Sequence, residues 1–140
     1  MFFQPSDSIK IFLPPEQARQ LSPTEKINAE CRQSDVVAFD IYADDALTLI
    51  GFAMLKKFDE GGYFLWNFAI DSRFQNKQYG TQALRELVAL MQAEYALHTM
   101  TTTYRYGNET AKHLYEKIGF AECDTVHGAD YCEVNMIYHC

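Results

Sequence analysis

The sequence predicts an α+β fold built on one mixed β-sheet flanked by helices, and three observations carry that prediction. Strand-like apolar runs follow one another between Asp35 and Asp71, two helical repeats lie between Gly80 and Gly119, and a Thr- and Tyr-rich strand separates those helices. A strand, a helix and a second strand in that order make a parallel crossover, which here falls in the middle of the sheet. The 140 residues suffice for one domain with one real core, residues 1–140, and are short for two.

Each element has a local reason. "SIKIFL" (8–13) alternates and reads as a first strand, stopped by Pro14-Pro15. The stretch from Pro15 to Ser34 is helix-prone but interrupted by Pro23, so one or two short helices are expected. "DVVAFDIYA" and "LTLIGFAMLKKF" flank Asp44-Asp45 as a strand pair, and "GGYFLWNFAID" follows the turn "DEGG" as a third strand. Its near-continuous apolar character implies burial on both faces. Leu84, Leu87, Val88, Met91 and Tyr95 share one face of a helix, and "ALHTMTTTYRY" is the next strand. Asn108 is a good N-cap for a second helix with an apolar stripe of Ala111, Leu114, Tyr115 and Ile118, and Gly119 is placed to end it. "FAECDTV" and "YCEVNMIYH" close the chain as a hairpin around "HGAD".

Composition excludes several classes. A net charge of −7 argues against nucleic acid, where phosphate neutralisation dominates binding. No apolar run approaches the roughly 20 residues of a membrane helix, and "MFFQPSDSIK" has none of the regions of a signal peptide, so a cytoplasmic location is expected. The four cysteines show neither a CxxC pair nor a nearby His at ligand spacing, and no metal is expected. Eleven of the nineteen acidic residues lie in residues 1–71, and six of the twelve Lys/Arg lie between Arg73 and Lys117. That distribution suits a cationic substrate at the front and an anionic cofactor behind, although a mixed solvated surface would look the same.

The chemistry is carried by two stretches. In "RFQNKQYGTQALREL" (73–87) a loop with Gly80 opens a helix, a place where unpaired N–H groups and the positive end of the helix dipole favour phosphate. The second is "NETAKHLYEKIGF" (108–120). Together they resemble the GNAT superfamily of acyl-CoA N-acyltransferases, over roughly residues 36–138. The family's loop pattern Gln/Arg-x-x-Gly-x-Gly/Ala is met by Gln75 through Gly80 except that Gln78 replaces the first glycine. Its second signature, Asn-x-x-Ala-x-x-x-Tyr-x-x-x-Gly-Phe, is met in full by Asn108, Ala111, Tyr115, Gly119 and Phe120. A cradle of backbone N–H groups needs a path rather than a side chain, so helical or bridge dihedrals are expected at Gln78, with close approach served by Gly80.

The resemblance implies acetyl-CoA as cofactor and a sheet splayed at its centre. The strand ending at Asp71 would part from the strand around Thr99 and admit the pantetheine arm against Phe68, Ala69 and Ile70. Gln75, Asn76, Lys77, Gln78, Tyr79, Gly80 and Thr81 would wrap the pyrophosphate, Asn108 would contact the arm, and Lys112 could reach the nucleotide phosphates. Tyr115 would sit by the thioester sulfur as general acid, and Glu60 and Trp66 are candidates for the acceptor site. A thiolate leaving group, from a thiol of pKa about 8.5, is suitably protonated by a phenol. Singly, Asn108 as a cap and Tyr115 as a stripe aromatic are equally good readings. The implied activity is acetyl transfer to a primary amine, with a polyamine as the first candidate, since the segment 49–80 is similar to bacterial polyamine acetyltransferases. Protein amino groups and aminoglycosides are alternative acceptors, and a non-catalytic acyl-CoA-binding sensor is an alternative of another class. No general base stands out among Asp40, Asp44, Asp45, Asp59, Glu60 and Asp71. A homodimer paired through the C-terminal strand is a further expectation.

Overall fold

The apolar runs form the expected meander, and the chain after them builds the rest of one seven-stranded sheet. A computed structural model describes residues Met1–Cys140. The strands are β1 (Phe2–Pro5), β2 (Val36–Tyr42), β3 (Leu49–Asp59), β4 (Gly62–Ile70), β5 (Thr99–Arg105), β6 (Ala121–His127) and β7 (Cys132–His139). The helices are α1 (Pro15–Ala18), α2 (Thr24–Glu30), α3 (Tyr79–Tyr95) and α4 (Glu109–Ile118). The sheet order is β1-β2-β3-β4-β5-β7-β6, antiparallel except for the central β4–β5 pair. No helix is long and apolar enough to cross a membrane.

Two expectations fail here for physical reasons. Residues 8–13 are not a strand; the first strand is Phe2–Pro5, on the edge beside β2. Ile9 and Ile11 do pack inward, against the smaller core cluster. The backbone there is satisfied outside any ladder, with Ile9 N–H donating to Asn28 Oδ1 at 3.0 Å and Phe12 N–H to Asp71 Oδ2 at 2.9 Å. The C-terminal strand β7 cannot pair across a dimer, because it lies inside the sheet with β5 on one side and β6 on the other. The open edges belong to β1 and β6.

The core has two parts, one on each face of the sheet. The larger lies under α3 and α4 and includes Leu55, Leu65, Leu87, Met91, Met100, Tyr115 and Phe120. The smaller joins Ile27 of α2 to Val36, Ala38, Phe52 and Met54. The amphipathic face of α3 is buried as expected, with Tyr95 set edge-on to Phe39 and Tyr63. Gly119 ends α4 at φ 121°, a region that disfavours side chains, and a Cβ there would meet the Tyr138 ring at 3.1 Å.

What positions the site is the middle of the sheet. β4 pairs with β5 only over Gly62–Leu65 against Thr99–Thr102. Immediately afterwards the β3–β4 register shifts: β3 steps from Leu55 to Met54 while β4 steps from Leu65 to Asn67. Trp66 is thus the extra residue of a β-bulge, which bends β4 and raises its twist where it parts from β5. The Thr102 hydroxyl, almost fully buried, donates to the Leu65 carbonyl at 3.1 Å and closes the last paired rung.

Candidate functional site

Beyond that rung a cleft of about 950 Å³ opens between β4 and β5. Phe68, Ala69 and Ile70 form one wall and Arg105 through Asn108 the other, with Tyr115 among the lining residues. Because the strands have separated, the opening passes through the sheet. α4 faces it from one side through Thr110, Ala111, His113, Leu114 and Lys117, and the α1 segment from the other through Glu16, Gln17, Gln20 and Leu21.

Backbone geometry equips the β4 wall. Asp71 N–H donates to Ile50 O at 2.8 Å, next to the pair Gly51↔Ile70. In an antiparallel ladder bonding alternates residue by residue, so the N–H and C=O of Phe68 and Ile70 point away from β3 and into the gap, while those of Ala69 serve the ladder. The Ile70 carbonyl already accepts from Gln75 Nε2 at 2.8 Å. The remaining groups are an unpaired strand edge.

The loop before α3 is the next component. None of the N–H groups from Asn76 to Thr81 donates to an acceptor in the chain. Asn76 has φ 61° and Gln78 φ 65°, both left-handed. The expected helical or bridge conformation at Gln78 is therefore wrong. Left-handed residues alternating with ordinary ones aim successive N–H groups into one concavity, the geometry of an anion-binding nest. A Cβ at Gly80 would meet Ile70 Cγ1 at 3.7 Å, an ordinary contact, so the fold itself does not require glycine there. Gly80 lines the cleft, and its missing side chain leaves the space to a ligand.

Asp71 fixes the approach to this loop. It is fully buried and accepts from Phe12 N–H, from Arg73 N–H at 3.0 Å, and from Arg73 Nε and Nη2 at 2.9 and 3.0 Å. The Arg73 guanidinium is the main reason its carboxyl is held down at about 2, against the opposing effect of burial. So committed, Asp71 is no proton acceptor and Arg73 is no free cation.

Tyr115 is buried, set 5.5 Å from the Phe120 ring, and lines the cleft. Burial raises its phenol pKa above the usual value, and the neighbouring Thr102 hydroxyl works the other way. The phenol therefore keeps its proton throughout the neutral range. Asn108 Oδ1 caps α4 by accepting from Ala111 N–H at 3.2 Å, and the residue also lines the cleft.

Other expected site residues lie elsewhere. Lys112 does not line the cleft; its ammonium is 3.8 Å from Glu122, on another face of α4. Thr110, His113, Leu114 and Lys117 follow the i, i+3, i+4, i+7 spacing of a single helix face, and that spacing identifies Lys117 as the lysine toward the cleft. Lys77 lines an adjoining polar hollow with Arg85 and Glu86 rather than the cleft itself; Asn76, Gln78 and Thr81 line both, and the Tyr79 ring packs on Phe74. Glu60 is at the β3–β4 hairpin beside Lys57, at the closed end of β4, and Trp66 lies under Lys26 and Lys56 beside the α2 cluster. Neither lines the cleft. Glu16, Gln17 and Arg105 were missed by the sequence reading. The cleft carries Arg105, His113 and Lys117 as cationic or protonatable groups, and Glu16 is its single carboxylate.

Comparisons with known proteins bear on the family and the fold. Residues 7–120 match the family described as the acetyltransferase (GNAT) family. The fold is similar to that of the spermidine N-acetyltransferase from Vibrio cholerae in complex with CoA and spermine, with TM-score 0.69 and 19% identity over 82% of this chain and 72% of that one. It is also similar to a GNAT-family acetyltransferase from Bacillus anthracis, with TM-score 0.67 and 20% identity over 83% and 72% of the two chains. Among curated proteins, comparison of sequences found no match.

Proposed function

Given that the chain belongs to the acetyltransferase (GNAT) family, and so is an acetyl-CoA-dependent N-acetyltransferase, we propose that its acceptor is the primary amine of a small polycation, a polyamine in the first instance. The observation that carries this reading is the cleft through the sheet, with its protonatable bases on β5 and α4 and its one carboxylate on α1. It gives an anionic donor and a cationic acceptor separate entrances. The spermine bound in the Vibrio cholerae structure and the acidic front half of this chain support the same reading.

Acetyl-CoA supplies the acetyl thioester. The free groups of Phe68 and Ile70 take up the arm's amides as an added strand would. The nest from Asn76 to Thr81 holds the pyrophosphate, with Lys117 and Arg105 toward the nucleotide end. The side-chain amide of Asn108 faces the arm. Phe68 N–H is a fixed donor where negative charge develops on the acyl oxygen, an effect often worth roughly 3–4 kcal/mol. Tyr115 holds the proton that the departing sulfur requires, and its burial keeps that proton in place. Glu16 receives the cationic acceptor on the α1 side.

An acetyl-CoA thiol-release assay against spermidine, spermine, N-terminal peptides and kanamycin tests the proposal. Turnover on the polyamines, with a raised KM in Glu16→Gln, is the expected result. Activity confined to peptides or kanamycin would overturn the polyamine assignment. Acetyl-CoA binding without turnover on any amine would favour the sensor reading instead.

A further inference from the structure

The short helix α1 forms the acceptor-side wall, yet it has no buried residue and spans only four residues, Pro15–Ala18. Neither packing nor helix propensity can hold such a segment in place. Its two flanks are pinned to the end of β4. Phe12 exchanges backbone and side-chain bonds with Ser72 and Asp71, and Ser22 N–H donates to the buried Asn67 Oδ1 at 3.0 Å. Between those anchors one side chain of α1 reaches across. Gln17 Nε2 donates to Gln75 Oε1 at 2.9 Å, and Gln75 Nε2 donates back to Gln17 Oε1 at 2.5 Å. Both residues are half-buried and both line the cleft.

Gln75 is the first residue of the phosphate loop, and the same Nε2 also donates to the Ile70 carbonyl that faces the gap. One amide thus joins the arm-binding edge of β4, the start of the nest and the wall that carries Glu16. We propose that Gln17 is a positioning residue, and that its clasp with Gln75 makes the acceptor wall follow the state of the cofactor loop. This rests on the assignment of the cleft to acetyl-CoA. A filled loop fixes Gln75, Gln75 fixes α1, and Glu16 is then presented to the amine. Without a ligand the clasp is free to open and close, and α1 is then held firmly only at its flanks.

Hydrogen exchange of residues 14–21, with and without CoA, reads the coupling directly and needs no turnover. In the unsubstituted protein, saturating CoA slows exchange of this segment. In Gln17→Met, nearly isosteric but without an amide, CoA still binds with unchanged affinity and the protection of 14–21 is lost. Two net hydrogen bonds removed translate into a KM for the amine about 5–10-fold higher, with kcat little changed. Because the two glutamines act as a unit, Gln17→Met/Gln75→Met raises the amine KM no further than Gln75→Met alone. Protection retained in Gln17→Met, or effects of the two substitutions that multiply, would overturn the clasp while leaving the cleft assignment intact. Failure of the unsubstituted protein to bind CoA would instead bring down that assignment, and the clasp with it.

Discussion

The two halves of the β4–β5 boundary share a strand pair and have opposite uses. From Gly62 to Leu65 the strand is paired on both sides, with β3 and with β5, and the side chains of Tyr63 and Leu65 are buried in the main core. From Asn67 to Ile70 the same strand keeps its bonds to β3 but turns a free edge toward the cleft. The difference arises within one residue, at the Trp66 bulge, and it shows how a continuous sheet opens into a cleft without any loop insertion. One rung is closed; the next is an open edge.

Breaking that contrast should produce its largest effect in the closed half. Phe64→Pro removes a ladder N–H from the sheet centre and should cost about 3 kcal/mol or more, visible as loss of soluble protein or a much lower unfolding midpoint. Phe68→Pro deletes an N–H that faces the gap, so it should remain folded and lose activity instead. Equal destabilisation of the two variants would refute the distinction.

Next in size is chemistry at the apex. Tyr115→Phe should lower kcat by ~10²–10³-fold with CoA affinity unchanged, in keeping with a lost general acid. Because burial raises the phenol's pKa, Tyr115 should cause no alkaline loss of rate below pH about 10. Turnover equal to the unsubstituted enzyme across pH would remove Tyr115 from the mechanism.

Smaller effects belong to the junction between the open strand and its loop. Asp71 has a folded pKa of about 2, below the unfolded value of about 3.9. Its contribution is therefore complete above pH ~4 and disappears as pH falls through ~2. Denaturant melts should show ~1–2 kcal/mol lost over that window, reduced from the full shift because Arg73 is solvent-exposed and screened. Asp71→Asn should flatten this part of the profile. Smallest is Gln78→Gly, which relieves a left-handed conformation and should add at most about 1 kcal/mol, read as ~2–4 °C in Tm.

The sequence announced most of the framework because periodicity is a local property. The meander, both long helices, the Asn108 cap and the Gly119 stop all depend on residues adjacent in the chain. Residues 8–13 misled because alternation reports burial, whereas strand pairing needs a partner, and Phe12 finds Asp71 far along the chain instead. At Gln78 steric cost argued for one conformation and the loop adopts the other, with its N–H groups unpaired. Lys112 was expected near the phosphates, whereas the face of α4 that carries Thr110, His113 and Leu114 toward the cleft carries Lys117. Glu16 and Gln17 lie in a helix too short to carry a pattern, so only tertiary placement shows their position beside the cleft.

Whether the open half of the β4–β5 boundary and the loop after it bind acetyl-CoA through backbone groups is tested most directly by titrating ¹⁵N-labelled protein with CoA. The amide signals of Phe68, Ile70 and residues 76–81 should shift together along a single saturating isotherm, while those of residues 62–65 stay in place. Saturable binding that moves amides elsewhere and leaves Phe68 and the loop unperturbed would contradict it.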